Sequence, residues 1–352
     1  MARSVLKPAF WPIIVTAAAL IAYRLASQVP VPGLDIAHIS QIGTNDRIGP
    51  KIHSLMSILA LGVLPWFSAL TLVELAAIAL PEHRTQRFTI AGHAPPFSRA
   101  VVGLALAIAA LQGLGIAEAM TAQSKIVLAP GTAFLVSTVV TLVGGTAFLI
   151  ALGLLIERQG LGHGFWIMLA ASMLAQLPSH IGVMHFMLKE GIASPAATVV
   201  AIASSVAIGA LVVGILEGRR DAKVSSMGIL IWPLVLASLA SGLIVGIASL
   251  ILPEGSDDKL DAMAKMLTNQ PAGFVIGGVI ASAFAAAYAS REKDWQVFLP
   301  AVAVIAAVQL QSIVGESLQV QPPLAGASLV IVTAVGYVVV MRIREMMQGE
   351  AA

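Results

Sequence analysis

Residues 57–69 read SILALGVLPWFSA, and this stretch decides the class of protein to which the chain belongs. It carries no charged residue, and it lies inside an apolar run from 54 to 80 in which Glu74 is the only ionisable side chain. About 20 apolar residues are enough for a helix to cross the ~30 Å hydrocarbon core of a bilayer. The stretch therefore predicts the beginning of a membrane span. For Glu74, snorkelling to the interface and a helix–helix hydrogen bond are both open interpretations.

Apolar runs of the same kind recur along the whole chain, and their connections are short. Several are rich in small residues, such as ASAFAAA at 281–287, which predicts closely packed helices. The first run, after Arg3 and Lys7, would also fit a signal peptide, although a first span explains it equally well. The runs predict ten spans at 10–28, 54–80, 98–118, 133–156, 165–187, 196–216, 228–252, 272–290, 297–315 and 324–341.

The composition excludes a soluble domain. Of the 352 residues, 58% are hydrophobic and 11% are charged, whereas soluble domains have about 45–50% and about 25%. The net charge of +2 is too small to indicate a nucleic-acid partner. The sequence contains no cysteine, which excludes disulfides and thiolate metal sites.

The basic residues predict the orientation of the spans. With the N-terminus in the cytoplasm, 13 of the 20 Lys and Arg residues fall on the inner side and 7 on the outer side. Cytoplasmic connections carry an excess of basic residues. Both termini are therefore predicted to be cytoplasmic.

Five local motifs occur in a fixed order: VPVPGLD at 29–35, SILALGVLPWFSA at 57–69, ALQGLGIA at 110–117, GGTAFL with ERQGLGHG at 144–164, and GASLVIV at 326–332. They resemble, in the same order, motifs of the SecY family, the central subunit of the Sec protein-conducting channel. The motif positions singled out are Pro30, Pro32, Gly33, Gly62, Pro65, Gly162 and Gly164. His163 replaces the usual Asn of its motif, and we expect it to be a solvated turn residue.

The resemblance implies an all-α polytopic membrane protein whose ten helices form two pseudo-symmetric five-helix halves. The N-terminal half would comprise residues 1–190 with spans 1–5 and a plug-like segment at 44–56. The C-terminal half would comprise residues 191–352 with spans 6–10. Inverted repeats of this kind also occur in transporters.

The resemblance also implies a pore ring, a collar of apolar side chains that closes around a passing chain and excludes hydrated ions. By motif, its six positions fall on spans 2, 5, 7 and 10: Val63, Phe67, Leu169, Met173, Val235 and Ile331. In a sequence that is 58% hydrophobic, however, six apolar residues at these positions are also expected without a pore.

The plug-like segment is represented by Asn45, Ile48, Gly49 and Ile52. It is more charged than a plug of small residues, so an ordinary outer loop is an equally open interpretation.

The cytoplasmic connections depart from the family pattern. In the family, the connections after spans 6 and 8 are long and basic, and they dock the ribosome or the SecA motor. Here they are short, and Arg219, Arg220 and Arg291 are the candidate partner contacts. We therefore expect docking of SecA or the ribosome to be weak.

The resemblance predicts a channel subunit for unfolded polypeptides or signal sequences in the bacterial inner membrane, assembled with SecE- and SecG-like small subunits. No cofactor, metal site or enzymatic activity is expected, because the sequence shows no phosphate-binding loop, ligand cluster or activated nucleophile. Two alternatives remain: a secondary transporter of a small solute, and a channel-derived structural or insertase partner without transport.

Overall fold

The computed structural model describes residues 10–36, 39, 56–79, 96–122, 126–219, 226–251, 259, 262–263, 266, 271–292, 295–320 and 322–349. The named elements within these ranges are α-helices and one short 3₁₀ helix, Trp295–Val297. The α-helices are α1 Trp11–Ala26, α2 Leu64–Ala79, α3 Arg99–Ala122, α4 Thr132–Gln159, α5 Gly164–Leu174, α6 Leu177–Lys189, α7 Pro195–Glu217, α8 Ser226–Ile251, α9 Pro271–Glu292, α10 Phe298–Ser317 and α11 Gly326–Gly349.

The helices confirm the predicted all-α membrane fold. Within the described ranges, eight helical segments are long and apolar enough to cross a membrane, and α5 and α6 together form one of them, Gly164–Lys189. Two shorter apolar helices, Trp11–Ala26 and Leu64–Ala76, correspond to the first two predicted spans. The ten segments match the ten predicted spans in order.

The second span begins later than its apolar run. The run starts at 54, but α2 begins at Leu64, and residues 56–63 form turns. The chain turns at Gly62, whose φ is +55°, a left-handed conformation that a side chain disfavours. Pro65 follows in the first turn of α2, where its missing N–H costs no hydrogen bond. The start of this span is therefore a buried non-helical segment.

The fifth span is broken at residues 175–176. Pro178, the second residue of α6, has no N–H to donate to the carbonyl of Leu174, and its ring would clash with that carbonyl in a continuous helix. The chain makes a turn instead, in which the Gln176 N–H donates to the Met173 carbonyl at 3.2 Å.

The chain divides into two compact units. The first comprises Met1–Thr89, Ala94–Ser172 and Val339–Ala352. In it, α4 packs against α3 and α1, and α3 packs against α2. A buried apolar cluster joins the loop after α1 to α3 and α4 through Val31, Leu34, Ala109, Phe134 and Leu142.

The second unit comprises Ile90–His93 and Met173–Val338. Its helices pack in the order α8, α9, α10, α7, each against the next. The small residues of α9 form one buried stripe, with Ala281, Ala285 and Ala289 all fully buried. The stripe lets neighbouring backbones approach closely, as expected from the Ala-rich sequence.

Candidate pore-lining site

The candidate site begins at the turn segment before α2, which is held in place by the loop after α1. The Ile58 N–H donates to the Val29 carbonyl at 2.8 Å, and the Val31 N–H donates to the Met56 carbonyl at 2.9 Å. Pro30 forms an antiparallel bridge with Ser57 between these two bonds. The 29–35 motif therefore positions Val63, the first of the predicted collar residues, by fixing the segment that leads to it.

The other side of the 29–35 motif pairs with the segment before α4. The Asp35 N–H donates to the Ile126 carbonyl at 2.8 Å, and the Leu128 N–H donates to the Gly33 carbonyl at 3.0 Å. Pro32 is exposed in the turn, and Gly33 has a φ of +88°. The motif is thus a backbone junction between two parts of the first unit.

Trp66 is the anchor of α2. Its side chain is fully buried, and its Nε1–H donates to the Pro96 carbonyl at 2.8 Å. Its ring makes edge-to-face contacts with Phe97 and Phe165, at centroid distances of 5.1 and 4.8 Å. A large aromatic ring with its polar atom satisfied is a rigid support. It fixes α2 against α5 within the first unit.

Two glycines, Gly153 of α4 and Gly164 of α5, allow α4 to lie close to Trp66 and to the start of α5. A β-carbon at Gly153 would come within 2.6 Å of the Trp66 ring, and one at Gly164 would come within 1.8 Å of the Gly153 carbonyl oxygen. Neither distance is compatible with a side chain. The end of the ERQGLGHG motif, where α5 begins, therefore packs closely against the middle of α4.

The turn between α4 and α5 is tightly bonded. The N–H groups of Gly160 and Gly162 both donate to the Ile156 carbonyl, at 2.9 and 3.2 Å. The Glu157 Oε2 atom accepts a hydrogen bond from the Gly164 N–H at 2.7 Å, which caps the first turn of α5. His163 is exposed with a φ of +53°, as expected for a turn residue.

Three of the six predicted collar residues lie in the first unit. Val63 precedes α2 and is 2% exposed, while Phe67 lies one turn later and is half-buried. Leu169 on α5 is 2% exposed. The rings of Phe67 and Phe165 are stacked at a centroid distance of 6.5 Å, and Leu169 lies one turn after Phe165. The structure therefore places these three predicted collar residues just before α2, on α2 and on α5, and the Phe165 ring of α5 contacts Trp66 and Phe67 of α2.

The other three collar residues lie in the second unit. Met173 lies near the end of α5 and is half-buried. Val235 lies on α8, two residues after Pro233, and is 6% exposed. Ile331 lies in the first third of α11 and is 1% exposed. Their role in a collar stays a prediction.

The remaining predicted site residues have less structural detail. The plug positions Asn45, Ile48, Gly49 and Ile52 lie outside the described residues, as does Arg220. Arg219 lies two residues after the end of α7, and Arg291 is in the last turn of α9. Eight residues separate α7 from α8, and two separate α9 from the 3₁₀ helix.

The structure also shows two buried polar features. Glu74 on α2 is 1% exposed, which disagrees with snorkelling and leaves the helix–helix bond as its interpretation. In the second unit, the Gln311 amide of α10 donates to the hydroxyls of Ser204 and Ser205 on α7, at 3.1 and 2.9 Å. The sequence feature that could have indicated this cluster is the pair of serines in an otherwise apolar span.

Comparisons with known proteins identify relatives of the chain. A family model described as SecY matches residues 57–290. The protein translocase subunit SecY of Escherichia coli K12 is 30% identical over 176 residues, which cover 46% of this chain and 40% of that protein. The Haemophilus influenzae subunit is 30% identical over 217 residues, covering 58% and 49%. The chain thus spans about half the length of the curated relatives it matches.

Solved structures share the fold. "The structure of a protein conducting channel" aligns with 100% of this chain and 95% of its own at a TM-score of 0.54 and 14% identity. Sec61 in the canine ribosome-channel complex from the endoplasmic reticulum aligns over the same shares at a TM-score of 0.53 and 14% identity. At this identity, the likeness establishes the fold alone.

Proposed function

The chain belongs to the SecY family, and on that basis we propose that it is a protein-conducting channel subunit, through which unfolded polypeptides or signal sequences cross or enter the membrane. The solute-transporter alternative is not favoured by this membership. The proposal includes the family's division into two halves, 1–190 and 191–352.

Besides the family membership, one structural observation supports the proposed collar: the aromatic anchor at the start of α2. Trp66 is held between Gly153 and Phe165, so α2 and α5 have a fixed separation in the first unit. Val63, Phe67 and Leu169 are attached to this rigid support. A collar must keep its diameter when no substrate is present, because a wider apolar constriction fills with water and conducts ions. The anchor supplies that rigidity for half of the proposed collar.

The proposed channel has no chemistry of its own and depends on partners. SecE- and SecG-like small membrane subunits would complete it in the bacterial inner membrane, with both termini in the cytoplasm. Binding of SecA or the ribosome is proposed to be weak, because eight- and two-residue connections offer few basic contacts. A purified channel that bound SecA as tightly as a SecY with long connections would contradict this part.

Site-specific photocrosslinking tests passage of a polypeptide. A photoreactive phenylalanine analogue is placed at Phe67 or Leu169, and a secretory polypeptide is stalled in membranes that contain the protein and its native partners. The matched control is Leu111 of α3, which is 73% exposed and faces away from the helices of its unit. Crosslinks from Phe67 and Leu169 but not from Leu111 are expected. Equal yields at all three positions would contradict the proposal.

A further inference from the structure

A cluster of polar side chains lies buried between α7 and α10 in the second unit. The Gln311 side chain of α10 is 4% exposed, and its Nε2 group donates to the hydroxyls of Ser204 and Ser205 on α7 at 3.1 and 2.9 Å. At 1.5 Å per residue, Ser205 is ~15 Å from the start of α7 and ~18 Å from its end. The cluster therefore contacts α7 in the middle of a predicted membrane span.

The two serines differ in what they bond next. The Ser204 hydroxyl donates to the Ala201 carbonyl of its own helix at 2.8 Å. The Ser205 hydroxyl lies 3.2 Å from the carbonyls of both Ala201 and Leu324 and shares its hydrogen between them. Leu324 lies two residues before the start of α11. Ser205 thus joins α10 to the beginning of α11, and we call the chain of hydrogen bonds from Gln311 through Ser205 to Leu324 the latch.

The latch acts on the helix that carries Ile331. One turn after Ser205, α7 contacts α11 again at Gly209, where a β-carbon would lie 3.7 Å from the Thr333 Oγ1 atom. Successive residues of an α-helix are rotated by about 100°, so Ile331, two residues before Thr333, lies on the opposite side of α11. The Ile331 side chain, which is 1% exposed, therefore faces away from α7, and α7 supports α11 from behind.

The latch is not the arrangement that would stabilise the fold most. Within the described residues, the Gln311 Oε1 atom is buried and accepts no hydrogen bond, and a buried acceptor without a donor is unfavourable. A leucine at this position would avoid that cost but could not bond Ser205. Apolar contacts let two helices slide past each other, whereas directional hydrogen bonds fix their relative height. The geometry therefore fits a role in position rather than in stability.

We propose that Gln311 and Ser205 are positioning residues of the channel: the latch fixes the beginning of α11 against α7 and α10, and thereby holds Ile331 in the collar. This inference rests on the proposed function, because Ile331 belongs to the collar by prediction. Loss of the latch frees α11 to shift along α7, which loosens the packing around Ile331 and admits water beside it.

Thiol modification measures the position of α11 independently of conduction, because the chain has no native cysteine. Ile331→Cys is the reporter and Ile229→Cys of α8 is its matched control, since both isoleucines are 1% exposed. The rate at which each thiol reacts with N-ethylmaleimide is measured in the full-length protein in liposomes. Adding Ser205→Ala or Gln311→Leu is expected to raise the rate at residue 331 roughly three- to tenfold, the effect of losing interhelical hydrogen bonds, and to leave the rate at residue 229 unchanged.

Three further variants distinguish the latch from a general loss of polar groups. Ser204→Ala removes the hydroxyl that donates within α7, and Gln309→Leu repeats the change from Gln to Leu at a residue that lines an open groove. Both are expected to leave the rate at residue 331 at the parent level. Ser205→Thr keeps the hydroxyl and is expected to do the same. The thermal midpoint of Gln311→Leu is expected to equal or exceed that of the parent, because the unbonded Oε1 atom is removed.

The possible results decide between the latch and the alternatives. An equal rise at residues 331 and 229 would indicate general loosening, and no rise at residue 331 would show that the latch does not position α11. Equal effects of Ser204→Ala and Ser205→Ala would also overturn the proposal. Failure of the proposed function has a different signature: Ile331→Ser would leave ion flux in the same liposomes unchanged, while Ser205→Ala still raised the rate at residue 331.

Discussion

The indole ring of Trp66 lies directly on Gly153: a β-carbon at residue 153 would come within 2.6 Å of the Cη2 atom of the ring. The relationship joins a residue of the SILALGVLPWFSA stretch to the middle of α4, and it fixes the support of the proposed collar. The ring is fully buried and bonded at its nitrogen, so a shift of the ring would strain that hydrogen bond or displace its neighbours.

The first prediction concerns this contact. Gly153→Ala is expected to lower the free energy of unfolding by about 1–3 kcal/mol, because overpacking forces the indole or the helix to shift. The measurement is the thermal unfolding midpoint of the purified protein in detergent.

Gly144→Ala is the matched control for Gly153→Ala. Gly144 lies in the same helix, but a β-carbon there meets no atom within 4 Å. Alanine is favoured over glycine in a helix by about 1 kcal/mol, so this variant is expected to be as stable as the parent or more so. If Gly153→Ala and Gly144→Ala had the same unfolding midpoint, the Trp66–Gly153 contact would not constrain the fold.

The second prediction concerns Thr16 on α1. Its hydroxyl donates to the Pro12 carbonyl at 2.8 Å and accepts from the Leu161 N–H at 3.1 Å. Thr16→Val keeps the shape but leaves that buried N–H unbonded, at a cost of about 1–3 kcal/mol. Thr141→Val removes only a bond to the Ser137 carbonyl within α4, so its midpoint is expected to stay near that of the parent. An equal drop in the unfolding midpoint of the two variants would show that the hydrogen bond between Thr16 of α1 and Leu161 of the α4–α5 turn has no special role.

The ten spans could be predicted from the sequence because hydrocarbon demands long apolar runs, and these are visible residue by residue. The start of α2 could not, since a continuously apolar run has no periodicity to mark where helix begins. Gly62 and Pro65 were visible, but their effect depends on pairing with residues 29–31, which lie far away in sequence.

The side-chain partners in the site also escaped prediction. Gly153 and Phe165 lie about 90 residues or more from Trp66 in the sequence, and only the fold brings them to its ring. Glu74 could not be assigned either, because a snorkelling glutamate and a buried one look the same within an apolar run. The predicted collar residues differ from Trp66, because their positions were named in advance from a resemblance between motifs. A sequence with so many apolar residues offers no independent signal for them.

The third prediction concerns the cap of α5. Glu157→Ala removes the acceptor of the Gly164 N–H at the beginning of the helix, and loss of such a cap costs about 0.5–2 kcal/mol. Glu157→Gln keeps an acceptor oxygen and is expected to recover most of the loss. Arg158→Ala, an exposed neighbour, is the control and is expected to have little effect on the midpoint. A loss in Glu157→Gln as large as in Glu157→Ala would exclude capping as the cause.

The central claim, that apolar side chains seal a channel, is tested most directly by ion flux through the protein in liposomes. Val63→Ser, Phe67→Ser and Ile331→Ser are combined in one variant and compared with Val140→Ser, whose parent residue is 65% exposed on α4. The account predicts that the triple variant raises ion flux roughly tenfold or more, because a hydrated collar no longer excludes ions, while Val140→Ser stays at the level of the parent. A triple variant that folds and remains as ion-tight as the parent would contradict it.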